Sequence, residues 1–101
     1  MPAIVENLGE VTRILFNGDI DFSTQENLGS AIEQALSIDG AKEIRVDMAN
    51  ATFIDSSAIR SLLRLQEKAQ AQGKSISIWN CNDHIREIFS IGGFDQMFVI
   101  H

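Results

Sequence analysis

Hydrophobic positions along the chain switch between a period of two and a period of three to four residues, and the switches outline the elements. Ile4-Val5 and Val11-Thr12-Arg13-Ile14-Leu15-Phe16 flank Asn7-Leu8-Gly9-Glu10, the pattern of an opening β-hairpin. Gly18-Asp19-Ile20-Asp21 then breaks the second strand. Ser23 followed by Glu26 has the spacing of a capping box. Leu28, Ala31, Ile32, Ala35 and Leu36 form a helical stripe after it, ended by Asp39-Gly40. Ile44, Val46 and Met48 alternate with Glu43, Arg45 and Asp47, which predicts a strand. Beyond Phe53-Ile54 and Asp55-Ser56-Ser57, the residues Ile59, Leu62 and Leu63 fall at i, i+3 and i+4. Gln66 interrupts that stripe and Ala69 resumes it, so a helix is expected from Ser56 to Gln72, stopping at Gly73. Ser75–Trp79 alternate again. Asn82 or Asp83 caps a short helix through Ile85, Ile88 and Phe89, stopped by Gly92-Gly93, and Met97-Phe98-Val99-Ile100 closes the chain as a short strand.

The order ββαβαβαβ predicts an α/β domain. Strands separated by helices imply parallel crossovers, and the first two strands imply an antiparallel hairpin. The expected architecture is a mixed sheet of four or five strands, with helices packed on it by one apolar stripe each. Leu15, Ile32, Ile44, Val46, Leu62, Leu63, Ile78 and Phe89 are the expected core. No linker, repeat or low-complexity run divides the 101 residues, so residues 1–101 read as one domain.

Charge narrows the partners. The net charge is −6, and the chain holds only 8 Lys and Arg residues. A duplex-binding surface needs clustered cations, so nucleic acid and anionic membrane are poor partners, whereas a protein partner fits. No apolar stretch approaches the roughly 20 residues that span a bilayer. Met1-Pro2-Ala3-Ile4-Val5-Glu6 lacks the basic and apolar regions of a signal peptide. Cys81 is the single cysteine and has no internal disulfide partner. These features lead to an expectation of a cytoplasmic protein in which Cys81 is a small packing residue.

Signals for catalysis are weak. Cys81-x-x-His84 alone is a poor zinc pattern, and His101 is the last residue. No phosphate-loop, Gly-x-Gly-x-x-Gly or Gly-x-Ser-x-Gly pattern occurs. Asp19, Asp21, Asp47 and Asp55 could converge at one sheet end, and acidic clusters of that kind can hold Mg²⁺, but loop carboxylates of an acidic protein explain the same residues and are the expected reading. The expectation is no catalysis, no cofactor and no metal.

The serine pair carries more. Ser56 and Ser57 stand where a β-like segment ends and a helix begins. A helix N-terminus leaves backbone N–H groups unpaired and carries partial positive charge, so it can hold a phosphate. Each serine could be a helix cap or a site that accommodates a phosphoryl group. The two readings are compatible, since one serine can cap while the other stays exposed.

Together these pieces resemble the STAS domain, specifically the small single-domain anti-sigma-factor antagonists of bacteria. Gly18-Asp19-Ile20-Asp21 looks like that family's Gly-acidic-apolar-Asp segment after the second strand. Phe53-Ile54-Asp55-Ser56-Ser57-Ala58-Ile59 is similar to its aromatic-apolar-Asp-Ser segment, and Ile85 to Phe94 resembles its final helix and turn. The resemblance spans essentially the whole chain. It implies phosphorylation of Ser56 by a serine kinase, removal of the phosphate by a cognate serine phosphatase, and binding of the unphosphorylated form to an anti-sigma-type partner, often that kinase. It also implies that Asp21, Asp55, Ser57 and Arg60 border the partner-binding surface of a monomer that forms a heterocomplex. Ala58 replaces the family's usual Gly, and Arg60 a commonly small residue. Arg60 could pair with a phosphate on Ser56, select an unusual partner, or remain solvated. The alternative is a STAS adaptor that is never phosphorylated and serves a transporter or a larger signalling assembly.

Overall fold

The computed structural model describes residues 2–101, and its elements follow the expected order. They are β1 (Ala3–Asn7), β2 (Val11–Ile20), α1 (Gln25–Ser37), β3 (Glu43–Ile54), α2 (Ser56–Ala71), β4 (Ser75–Trp79), α3 (Asp83–Ile91) and β5 (Val99–Ile100). Single 3-10 turns occupy Phe22–Thr24 and Phe94–Gln96. The five strands form one sheet in the order β1-β2-β3-β4-β5. β1 and β2 are antiparallel, and all other neighbours are parallel. Every crossover advances by one strand in the same direction. Right-handed crossovers therefore put all three helices on one face of the sheet.

Burial follows that topology. Thr12, Ile14, Phe16, Ile44, Val46, Met48, Ile76 and Ile78 are buried at alternate strand positions. The apolar ones pack in one cluster with Leu28 and Ile32 of α1, Leu62 and Leu65 of α2, and Ile85 and Phe89 of α3. Among the described residues no helix lies on the opposite face, unusual for a mostly parallel sheet. That face carries a polar ladder instead. Arg13 pairs with Glu6 at 2.9 Å and with Asp47 at 3.8 Å, and Arg45 pairs with Glu43 at 3.2 Å. Ser77 donates to Glu43 at 2.6 Å and accepts from the Trp79 indole at 2.8 Å. The Arg45 guanidinium lies 4.5 Å from the Trp79 ring centroid, and His101 stacks on that ring at 4.0 Å. The Ser77 hydrogen bond, helped by Arg45 and opposed by burial, holds the Glu43 carboxyl below its ordinary pKa.

Four details depart from the sequence reading. Gly18-Asp19-Ile20 does not break β2. The strand continues to Ile20 and its register against β3 slips twice, between Leu15 and Asn17 and between Gly18 and Asp19. Gly18 takes φ +70°, which lets the chain absorb the irregularity. The capping box is Asp21 with Thr24, ahead of the 3-10 turn, and Ser23 donates to it without capping. Leu15 and Leu63 are half-buried. Leu15 faces away from the helices, opposite Ile4 and Asp47, and the buried line of α2 runs through Ala58, Leu62, Leu65 and Ala69. The last strand is only Val99–Ile100, although Phe98 is still buried, edge-on to Phe89 at 6.0 Å. No helix among the described residues is long and apolar enough to cross a membrane.

Candidate functional site at the C-terminal edge of the sheet

Parallel pairing brings the ends of β2 and β3 together. Ile20 is registered opposite Ile54, and the Asp55 N–H donates to the Ile20 carbonyl at 3.2 Å. Asp21 and Asp55 therefore open neighbouring segments at one edge.

Asp55 is the N-cap of α2, with extended backbone at φ −111° and ψ −178°. Its Oδ1 accepts from the Ala58 N–H at 3.0 Å and from the Ser57 hydroxyl at 2.6 Å. Its Oδ2 accepts from the Phe22 N–H at 3.0 Å. One carboxylate thus caps α2 and ties down the loop after β2. Burial pushes its pKa up, but the hydrogen bonds from Ser57, Ala58 and Phe22 outweigh that and hold it below the ordinary carboxylate value.

The two serines divide. Ser57 is buried, and its hydroxyl donates to Asp55 and accepts from the Gln25 amide at 3.3 Å. Gln25 Oε1 in turn accepts from Ser61 at 2.9 Å. The chain Asp55–Ser57–Gln25–Ser61 fastens the first turns of α1 and α2 to each other. Ser56 is exposed as the first residue of α2, and its hydroxyl bonds to no described residue. The Ala58 N–H beside it is already taken by the Asp55 cap, and the positive end of the helix dipole remains at this position. Arg60 lies one turn further on, exposed and without an ion pair among the described residues.

Asp21 is half-buried and occupied locally. Its carboxylate accepts from the Ser23 N–H at 2.9 Å and from the Ser23 hydroxyl, and its own N–H donates to Thr24 Oγ1 at 3.1 Å. Asp19 accepts from the Thr52 hydroxyl at 2.6 Å. Asp47 does not join these carboxylates. It lies within β3 on the uncovered face and accepts from the Ala49 N–H and the Asn80 side chain at 2.9 and 3.2 Å. Among the described residues, no group of three or more His, Cys, Asp or Glu could hold a metal ion. Cys81 is half-buried against the core, and burial pushes its thiol pKa up. His84 stacks on Phe53, centroids 5.7 Å apart.

Phe22 at this edge escaped the sequence reading and is 78% exposed; Phe53, read there as the aromatic of the Asp-Ser segment, is 38% exposed. The signal for Phe22 was there: it is a large apolar residue between a strand and a cap that belongs to neither apolar stripe.

The family model described as "Mlab, STAS domain" matches residues 5–100. A STAS-domain containing protein of Pseudomonas aeruginosa strain UCBPP-PA14 is 35% identical over 92 residues, covering 91% of this chain and 89% of that one. An anti-sigma factor antagonist from Mycobacterium paratuberculosis superposes with a TM-score of 0.86 at 21% identity, over 98% of this chain and 83% of its own. The Bacillus cell fate determinant SpoIIAA in its phosphorylated form gives 0.73 at 19%, over 98% and 90%. A sulfate transporter family protein from Wolinella succinogenes gives 0.75 at 20%, over 96% and 80%. At these identities the solved structures establish the shared fold. The match across nearly the whole chain, with the fold and the Asp-Ser helix start that accompany it, makes this protein a member of the STAS-domain family.

Proposed function

We propose that this domain is a phosphorylation-gated protein-interaction switch without catalysis or a cofactor of its own. A serine kinase phosphorylates Ser56, a cognate serine phosphatase reverses it, and the unphosphorylated form binds an anti-sigma-type regulatory partner. The observation that carries this reading is the division between the serines. The hydroxyl of Ser57 is engaged by Asp55 and Gln25, whereas that of Ser56 is exposed and unbonded at the start of α2. Asp55, not Ser56, caps the helix, so a modified Ser56 leaves α2 in place. SpoIIAA, which shares the fold, has a phosphorylated form.

Phosphate adds about −1.5 to −2 charges at neutral pH. The helix N-terminus offsets part of this, by about 0.3–1 kcal/mol at an exposed site, and Asp55 opposes it. A partner that meets this edge with apolar or acidic groups must then desolvate an uncompensated dianion. A penalty of about 3–4 kcal/mol weakens binding several hundredfold. Ser56→Ala should bind constitutively, Ser56→Asp poorly, and Ser57→Ala should still be phosphorylated. Phosphosite mapping after reaction with the cognate kinase decides the matter. Modification of Ser57 with Ser56 untouched, or wild-type binding by both Ser56 variants, defeats the proposal.

The fold shared with a sulfate transporter family protein favours a second reading, a fixed adaptor in a transport assembly. Intact-mass measurement of protein from its native cell separates the two. A population heavier by one phosphate supports the switch.

A further inference from the structure

The basic residues are unevenly placed. Of the 8 Lys and Arg residues in a chain of net charge −6, Arg60, Arg64 and Lys68 recur at four-residue spacing along α2. That spacing puts them on one stripe of the helix, and all three are exposed. Lys68 is paired with Glu33 of α1 at 3.2 Å. Arg60 and Arg64 pair with no carboxylate among the described residues. Arg64 and Lys68 also line a groove of about 150 Å³ between α1 and α2, together with Gln25, Gly29, Ile32, Ser61 and Glu33, whose carboxylate is the one paired with Lys68; Arg60 lies outside the groove, one turn towards the start of α2.

Gly29 is an independent sign that this groove is kept open. It lies inside α1, where glycine weakens a helix relative to alanine. Its φ is not positive, and a Cβ at this position would meet no atom within 4 Å. Neither the backbone nor the packing of the domain calls for glycine. Its missing side chain leaves room on the α1 wall of the groove that Arg64 also lines.

We infer that the α1–α2 groove and the α2 stripe leading from it are the docking site for an acidic segment of a partner protein, with one carboxylate on Arg64 in the groove, a second on Arg60 beyond its end, and a side chain in the space over Gly29. This rests on the reading of the domain as a protein-binding module. Two uncompensated cations on an acidic protein are too few to hold a polyanion such as nucleic acid or an anionic bilayer. They suit a short segment with a pair of carboxylates, which arginine can bind bidentately. Ser56 lies one turn ahead of Arg60. A phosphate there would compete for that arginine and repel the acidic segment, which links the groove to the switch.

The test is an NMR titration of the full ¹⁵N-labelled protein with a synthetic peptide. The peptide is an Ala/Leu helix of about 15 residues with glutamates four residues apart. A version with glutamine replacing glutamate, an oligo-dT, and vesicles of equimolar phosphatidylserine and phosphatidylcholine serve as comparisons. The glutamate peptide should shift resonances of α1 and α2 around Gly29 and Arg64, and bind at least ~10-fold tighter than the glutamine version. Arg64→Gln should weaken it by about the same factor, and Gly29→Leu should fill the groove and abolish binding in a folded protein. Wild-type binding by both variants, shifts elsewhere, no shifts, or tighter binding of the oligo-dT or the vesicles would each overturn the inference. Phosphorylation of Ser56 is read separately, with kinase and no peptide. Loss of the groove with Ser56 still phosphorylated defeats this inference alone. Groove binding without phosphorylation of Ser56 defeats the switch alone.

Discussion

Asp55 accepts hydrogen bonds from two elements at once, so its loss should be felt by both. Asp55→Ala removes the N-cap of α2 and the anchor of Phe22. A cost of about 1–3 kcal/mol is expected in urea denaturation at neutral pH. The sign of the pH dependence follows from the depressed carboxyl pKa. Stabilisation by Asp55 is complete above the unfolded value, about 4, and is lost as pH falls through the lower folded value. The gap between wild type and Asp55→Ala should therefore shrink in acid, and a constant gap would assign the effect to packing. Thr12 presents the opposite case. It is fully buried in the strand row that faces the helices, and its hydroxyl finds no partner among the described residues. Thr12→Val keeps the shape and removes the unsatisfied group, so it should raise stability by about 1 kcal/mol, seen as a higher Tm.

At the scale of the element, α2 separates what periodicity can tell from what it cannot. Leu65→Ala should cost about 2–5 kcal/mol through lost burial and a cavity. Leu63→Ala, at a half-buried position, should cost about 1 kcal/mol in the same denaturation assay. If the order were reversed, the helix would be rotated from the orientation described. A period of 3.6 residues fits both Leu62-Leu63 and Leu62-Leu65, and only the sheet beneath decides between them. β2 was ambiguous for a related reason. Leu15 lies on one parity and Ile14 and Phe16 on the other, and alternation does not reveal which face is covered. The element order was legible because each helix and strand carries its own signal. So was Asp55-Ser56-Ser57, a motif compact in sequence. The bonds from Phe22 to Asp55, Gln25 to Ser57 and Ser61 to Gln25 span 33, 32 and 36 residues, and no local pattern announces them.

For the whole molecule, the unidirectional order of crossovers leaves one sheet face without helices. The ladder of Glu6, Arg13, Asp47, Glu43 and Arg45 lies on that face. Such partly exposed pairs contribute about 0–1 kcal/mol each, so their main effect is on solubility. Replacing Arg13 and Arg45 together by leucine should leave the fold intact and turn the face apolar beside Ile4 and Leu15. Self-association in sedimentation is the expected outcome, and a strictly monomeric double variant would refute the protective role of the ladder.

The same strand order bears on how the chain reaches this state. Spatial sequence and chain sequence coincide, so every strand pairs with its predecessor and successor and none is inserted between two earlier ones. Only the opening hairpin is local; the parallel pairings join distant residues, such as Ile14 with Val46 and Ile44 with Ile76, which slows folding relative to a helical bundle. As a ribosome releases the chain, β1 and β2 can form a hairpin, and each later strand can join an edge that already exists. Assembly in order of synthesis thus never requires a finished pairing to be undone.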